Sequence, residues 1–539
     1  MAKDYFQSRE FKDLLKSYED QQAAGEGIYL DADDFADIAD YYLSMDKPSS
    51  SMETLATGLS LHPNDEVLLI VLSAAYIYQR QYDKAEEVLG KLDSGNSDVK
   101  YQLAQLEYAK YGRVKQAEKI WREWMKLENG MEPSESQRRE CYIHIISSLI
   151  ELRGNGKTDK IYDVEAVRRW VQEYIDTFQP LGRYDEDVQL ADICRDNDLA
   201  DLMCDVLTQV LEEQPYLPKG WSNLALAQFL LQHYEQAIEA CDFALAIDSD
   251  DLEALLTKAH SYHSMGEKST AKPIFKEYLD KGGEAVQIIP YADALFHDGE
   301  KDEALSELDR LSNYFENKKA QAVARWQKAQ LTRSSDVENR KSEQALYDDF
   351  IDLYRRILTD ISDLYHHNGY YEESIVVNNR LTEVNQHDSE AYFMLGINNL
   401  ALSRYEEASR NFAFALQWAE DQVMMGVDIA LTFVLNNFDD FALEVLEAVS
   451  QIASSSKSPF VKNIPAAKSL THLKMGHKDL FLQNFKVACR ETPDLVRKVY
   501  EAYFPSNLLV SQWSDYATKN IDKLMKNFKG ENMHLNDFS

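Results

Sequence analysis

The stretch of residues 220–247 reads GWSNLALAQFLLQHYEQAIEACDFALAI. Its apolar and small residues recur at the period of an α-helix, with Trp221, Leu224 and Ala225 early and Ala237 and Ala244 late. None of the polar residues between them forms a catalytic arrangement. The stretch is therefore either one buried piece of an enzyme or one copy of a repeated unit.

Ala237 belongs to a series of mostly small residues that recur along the chain. Within three stretches of sequence the spacing between neighbouring members is 32–34 residues, which is the range expected of helical repeats. The members are Ala85, Ala117, Met203, Ala237, Ala271, Ala304, Ser374, Ala408 and Ala442. The second interpretation, a repeated unit, is the better one.

The surroundings of these anchor residues repeat as well. A large apolar residue stands 16 positions before most anchors, a small residue stands 12 before, and a bulky apolar residue stands four after. For Ala408 these are Tyr392, Gly396 and Phe412. A glycine at one common offset, between the two helices of a unit, would close the turn with little steric cost. The glycines at this offset are Gly266, Gly299, Gly369 and Gly476.

This pattern resembles the tetratricopeptide repeat. A second well-preserved copy, SEAYFMLGINNLALSRYEEASRNFAFALQWA, begins at Ser389 and carries Tyr392, Leu395, Gly396 and Ala408 at signature positions of the family. The resemblance covers most of residues 32–493 in roughly eleven units. It implies an all-α fold, a right-handed α-solenoid (superhelix) of stacked antiparallel helix pairs.

The regularity of the repeats divides the chain. The pattern weakens around the polar segments RGNGKTDKIYD and SSDVENRKS, which read as an inserted loop and as part of an irregular unit or hinge. The predicted segments are an N-terminal helical cap (1–31), repeat-like units (32–131), a degenerate unit with an inserted loop (132–183), further units (184–318), an irregular helical unit or hinge (319–354), further units (355–492), and a C-terminal helical cap with a frayed tail (493–539).

Charge and composition restrict the partners. The formal net charge of −35 repels nucleic-acid phosphates and anionic lipids, so we expect neither nucleic acid nor membrane as a partner. The most apolar run, 67–78, is too short to span a bilayer, and the N-terminus lacks the apolar stretch of a secretory signal.

The five widely spaced cysteines indicate neither a disulfide framework nor a zinc site. A cytoplasmic protein is the expectation.

No catalytic motif stands out in the sequence. Nucleotide-binding loops, a nucleophile elbow and the HExxH zinc motif are all missing from it. His260 and His263 share a helix face and could form part of a metal site, but no third ligand is evident. The acidic run at 31–40 lacks the spacing of a calcium loop. The sequence thus predicts no catalytic residue, no metal and no cofactor.

The resemblance also implies a binding surface, because first helices of successive repeats line a concave groove in that family. The positions that correspond to the groove are mixed apolar and acidic, which favours a basic or amphipathic protein segment as the partner. The candidates are Lys219, Ser222, Leu226, Phe229, Leu230, Glu253, Leu256, His260, His263, Glu390, Phe393, Ile397 and Leu400. The alternative is that tight curvature packs these side chains against the chain itself.

Several functions agree with this prediction. The leading hypothesis is a non-enzymatic scaffold or adaptor that binds a partner segment in the groove. Alternatives are a regulatory subunit of a larger complex, and a sensor or unrecognised enzyme that uses the groove for a small ligand. The stretch AEKIWREWMKLE (117–128) faintly resembles repeats of RNA-processing scaffolds, but the charge disfavours direct RNA contact. The sequence leaves the oligomeric state open.

Overall fold

The fold is given by a computed structural model that describes residues 5–6, 8–24, 29–128, 134–152, 163–217, 219–331, 337–454 and 456–528. In these ranges the chain forms 27 α-helices and three short 3-10 helices, and no strand. It folds as two compact units, Met1–Lys281 (unit 1) and Gly282–Ser539 (unit 2).

The helices follow one another with short connections. Unit 1 contains α1–α15, which are Arg9–Ala24, Ala32–Ser44, Pro48–Leu61, Glu66–Tyr78, Tyr82–Leu89, Ser97–Tyr111, Val114–Glu128, Glu135–Glu151, Val164–Thr177, Asp185–Asp196, Ala200–Glu213, Gly220–Leu230, Tyr234–Ile247, Leu252–Ser264 and Lys268–Asp280. Unit 2 contains α16–α27, which are Ile288–His297, Lys301–Leu331, Val337–His367, Tyr371–Val384, Ser389–Ala401, Tyr405–Trp418, Gln422–Leu435, Asp439–Ala453, Ile464–Lys474, Lys478–Glu491, Pro493–Tyr500 and Val510–Asn527.

The opening stretch forms one helix pair, α12 and α13. The three-residue turn 231–233 reverses the chain, so the two helices run antiparallel and pack against each other. Ala225 and Ala237 are fully buried, and such small side chains let two helices approach closely. Helix α14 then packs against both α12 and α13. Because such pairs pack on their neighbours within each unit, the predicted all-α solenoid arrangement is confirmed.

The turns that join the two helices of a pair contain a residue with a left-handed backbone. In the turn between α12 and α13 this residue is Gln232, five residues before Ala237, with φ of 62°. At the same place in eleven turns φ lies between 52° and 81°. The residues are Asp46, Arg80, Gly112, Asp198, Gln232, Gly266, Gly299, Gly369, Ser403, Asn437 and Gly476. The turn role predicted for the four glycines that share an offset is therefore confirmed.

The degenerate region near 132–183 is held by a buried ion pair. The Arg139 guanidinium on α8 donates to the Asp187 carboxylate on α10, and both side chains are inaccessible to solvent. Asp187 also accepts hydrogen bonds from the Tyr174 hydroxyl at 2.7 Å and the Gly182 amide at 2.8 Å. These hydrogen bonds offset the loss of hydration of the buried Asp187 carboxylate, and they join α8, α9 and α10. Most of the predicted inserted loop, 153–162, lies outside the described residues.

The segment predicted as an irregular unit or hinge, 319–354, falls within two long helices. Both α17 and α18 are 31 residues long. They lie side by side, since Trp326 stacks on Tyr347 at 5.2 Å and Arg325 pairs with Glu343 at 3.1 Å. Residues 332–336 between them lie outside the described ranges.

The two ends of the chain carry further helices. At the N-terminus, Phe11 and Tyr18 of α1 are buried, and the Tyr18 hydroxyl shares a 3.0 Å hydrogen bond with Thr54. Near the C-terminus, Phe504 stacks on Trp513 of α27 at 4.5 Å. The tail predicted to fray, 529–539, lies outside the described residues.

The left-handed turn yields a stability prediction. A Cβ on Gly266 would meet no atom within 4 Å, so Gly266→Ala changes only the backbone preference at a φ of 81°. We expect it to lower the free energy of unfolding by about 1–2 kcal/mol, because L-residues disfavour this conformation. Gln232→Gly is expected to raise the free energy of unfolding by a comparable or smaller amount. Urea denaturation followed by circular dichroism measures both.

The matched control is Gly90→Ala. Gly90 has a right-handed φ of −64°, which alanine adopts readily, and a Cβ there would lie 3.2 Å from the Glu86 carbonyl oxygen, so a smaller change than at Gly266 is expected. Equal effects of Gly266→Ala and Gly90→Ala would show that the left-handed turn is not the source of the energy.

Candidate interaction surfaces

The predicted groove residues on α12 and α14 come together in unit 1. The Lys219 ammonium lies 3.5 Å from the Glu253 carboxylate, and the rings of Phe229 and His260 are 6.2 Å apart. His260 and His263 both lie against the buried ring of Phe275, with centroids at 5.2 Å and 6.1 Å. The two successive first helices therefore share one continuous face.

This face is partly open to solvent. Lys219, Glu253 and Leu230 are exposed, while Leu226, Phe229 and Leu256 are half-buried. Ser222 departs from the expectation, because it is only 2% exposed and its hydroxyl donates to the Lys219 carbonyl at 3.0 Å. Ser222 belongs to the helix packing and does not present its side chain to a partner.

The predicted positions on α20 lie in unit 2. Glu390 is exposed, and Phe393 and Ile397 are half-buried, with the Phe393 ring 5.9 Å from that of Phe412. Leu400 is only 6% exposed, so it belongs to the core and is corrected as a groove position. Its side chain packs in the cluster that contains Ala408 and Phe412.

A cavity of about 510 Å³ lies beside the Lys219–Glu253 pair. Its lining includes Tyr216, Trp221, Ile247, Asp248 and Asp250, none of which was predicted to bind. The sequence pattern predicts Trp221 as a packing residue and gives no role to the connections beside it. The sequence signal for this region was Tyr216, an aromatic residue in a short connection between Pro215 and Pro218.

A larger cavity, about 1100 Å³, lies at the ends of first helices elsewhere in unit 1. Asp46, Tyr78, Arg80 and Asp198 contribute to its lining. The Tyr78 hydroxyl donates to the Asp46 carboxylate at 2.5 Å. Three of these residues sit in or beside the left-handed turns, so the turn geometry itself shapes this wall.

The cysteines are placed as core residues. Burial raises the pKa of four thiols to about 12, so they stay protonated at neutral pH and are poor nucleophiles. They are Cys141, Cys194, Cys241 and Cys489. In the described ranges no group of three or more histidine, cysteine, aspartate or glutamate side chains is arranged to hold a metal ion.

The family comparison identifies the opening stretch. Residues 218–251 match the model of the tetratricopeptide repeat. No curated protein matches the chain. Across the described ranges, no helix is both long enough and apolar enough to cross a membrane.

Two solved structures resemble the chain weakly. One is YrrB, a TPR protein with an unusual peptide-binding site, with 17% identity, 41% of this chain and 96% of that chain covered, and a TM-score of 0.29. The other is the APC/C hetero-tetramer Cut9–Hcn1, with 12% identity, 96% and 95% covered, and a TM-score of 0.28. Scores of this size do not establish a common arrangement of helices along the whole chain.

One carboxylate on α22, the first helix of the α22–α23 pair, is largely removed from solvent, which disfavours its charged form. Burial raises the pKa of Asp428 from 3.8 to about 6. Because the folded state then holds the proton more tightly than the unfolded state, this group's contribution to stability is lost as the pH rises from about 4 to 6. At neutral pH the buried charge destabilises unit 2.

Asp428→Asn is therefore expected to raise the free energy of unfolding at pH 7 by about 1–2 kcal/mol, after allowance for partial solvation. The advantage over the wild type should shrink as the pH falls from 6 to 4. Urea denaturation at a series of pH values measures it. The control is Glu444→Gln, an exposed carboxylate on the next helix. An advantage of Asp428→Asn that did not depend on pH would contradict the assignment.

Proposed function

We propose that this tetratricopeptide-repeat protein is a non-enzymatic scaffold, which binds a segment of a partner protein along the first helices of its repeats. The tetratricopeptide repeat is in general a protein-interaction module. The observation that carries the proposal is the continuous face of α12 and α14, where Lys219 meets Glu253 and Phe229 meets His260. Leu230 is 52% exposed at the end of this face, which favours an interaction surface over self-packing.

The charge of the chain supports a basic or amphipathic partner segment. A net charge of −35 attracts cationic segments over a distance and repels nucleic acid and anionic lipid. The half-buried Leu226, Phe229 and Leu256 offer apolar area to the other side of such a segment. A cytoplasmic location and a role as a subunit of a larger complex both agree with this proposal.

A second candidate is a sensor for a small ligand. The 510 Å³ cavity beside Lys219 and Glu253 is within the size range of small-molecule sites. A ligand bound there would stabilise the folded chain, so it would appear as a raised melting temperature in a screen of metabolites. The scaffold proposal expects no such stabilisation.

Leu230→Glu tests the groove. In affinity purification of the full-length chain from native lysate, we expect the variant to lose its main partner by roughly tenfold or more, because a charge replaces an exposed apolar contact of the groove face. Quantitative mass spectrometry measures the loss. The matched control is Leu480→Glu, since Leu480 is 45% exposed on the second helix α25. Equal recovery of partners by both variants, or no reproducible partner of the wild type, counts against the proposal.

A further inference from the structure

An aromatic pair lies at the edge of repeat 218–251, with Trp221 half-buried and Phe243 exposed. The rings of Trp221 on α12 and Phe243 on α13 stack with centroids 4.6 Å apart. The Trp221 indole nitrogen donates to the Pro215 carbonyl at 2.8 Å, which fixes the ring. Trp221 points away from the groove positions Leu226 and Leu230, since separations of five and nine residues correspond to about 140° and 180° around an α-helix.

Two further apolar side chains extend this pair into a surface. Tyr216 is 80% exposed and Ile247 is also exposed, and both line the 510 Å³ cavity together with Trp221. We call Tyr216, Trp221, Phe243 and Ile247 the edge surface. Large exposed apolar groups that are clustered in this way mark interaction sites more often than isolated ones do.

Repeat 389–422 contains the same arrangement at the same offsets. His387, Tyr392, Phe414 and Trp418 occupy the positions of the four edge residues. Tyr392 and Phe414 have ring centroids 5.1 Å apart, and His387 lies 3.9 Å from Trp418. The aromatic pair therefore recurs in unit 2, but its charged surroundings differ.

The edge surface in unit 1 has an acidic rim. Four carboxylates line the cavity beside it, and two more stand one helical turn and one residue before Phe243 on α13. Among the described residues, these six outnumber the lysines paired with them by three. The carboxylates are Glu239, Asp242, Asp248, Asp250, Asp251 and Glu253, and the paired lysines are Lys219, Lys258 and Lys281. Asp248 is exposed and accepts a hydrogen bond from the Asp250 backbone amide at 2.9 Å.

The matching rim in unit 2 lacks this charge. At the six equivalent positions one residue is acidic and one is basic. These residues are Arg410, Ala413, Ala419, Asp421, Gln422 and Met424. The two repeats thus share the aromatic pair and differ in the rim, so the unit 2 repeat is an internal control for the contribution of charge.

We propose that the edge surface of unit 1 is a second docking site, separate from the groove, for a lysine- or arginine-rich segment of a partner protein. Cationic side chains stack on aromatic faces, arginine above all, and Tyr216 and the Trp221–Phe243 pair offer such faces. The acidic rim attracts the remaining cations and selects against acidic segments. A second copy of this chain is disfavoured as the occupant, because both copies carry a net charge of −35.

The test uses the full-length chain and a library of random short peptides displayed on phage. We expect the selected peptides to be enriched in lysine and arginine. The affinity of one such synthetic peptide, measured by fluorescence anisotropy, should fall roughly tenfold or more in Tyr216→Ala/Phe243→Ser and also in Asp248→Lys. Asp248→Lys changes an exposed side chain, so it reports on binding even where the aromatic variant is less stable. Circular dichroism confirms the fold of each variant.

Three matched variants are expected to keep the wild-type affinity. Phe414→Ser removes the same aromatic pair in unit 2, Tyr29→Ala removes a tyrosine that is equally exposed at 79%, and Leu230→Glu alters only the groove. Selection of peptides without a basic excess, or an affinity unchanged in both edge variants, overturns the proposal. Loss of affinity in Leu230→Glu alone also overturns it and places the peptide in the groove, which supports the proposed function separately.

Discussion

The fold depends on a turn that must carry one left-handed residue. Eleven turns place such a residue between the two helices of a pair, and six of the eleven have a side chain there although the conformation disfavours one. The turn reverses the chain so that the second helix returns along the first. Buried small residues such as Ala225 and Ala237 then set how closely the two helices pack.

This constraint divides each repeat into buried and open positions. Phe412 fills the space that a side chain on Gly396 would need, so this face of α20 is buried by close packing and is not open to a partner. The opposite parts of the first helices, and the edge where a pair ends, keep apolar groups in contact with solvent. In unit 1 both open regions adjoin one carboxylate, because Glu253 belongs to the groove face and also lines the cavity beside Trp221. The charge is therefore placed where a basic partner segment would meet it.

The repeats could be predicted from the sequence because residues of similar size, and glycines at the turns, recur at fixed spacing along the chain. Small anchors, the glycine turns and the helical pattern all follow from local physics, and the structure confirms them. The long helices α17 and α18 were less visible in the sequence, since residues 316–331 of α17 give no clear apolar period, although their Ala, Glu, Lys, Gln and Arg residues favour a helix.

The candidate site was predicted less completely. The position of a residue within a helix indicates which face it occupies, but not whether neighbouring helices cover that face. The burial of Ser222 and Leu400 was therefore not predicted. Tyr216 and Asp248 lie in connections, whose placement depends on how successive pairs pack. The raised pKa of Asp428 likewise depends on burial by other helices, which no single stretch of sequence encodes.

We propose that the protein binds its partner at the open face of its repeats. Hydrogen–deuterium exchange of the full-length chain, with and without its purified partner, tests this most directly. We expect slower exchange in residues 219–230 and 252–264 when the partner is bound. Unchanged exchange in both helices, with protection confined to other parts of the chain, would contradict it.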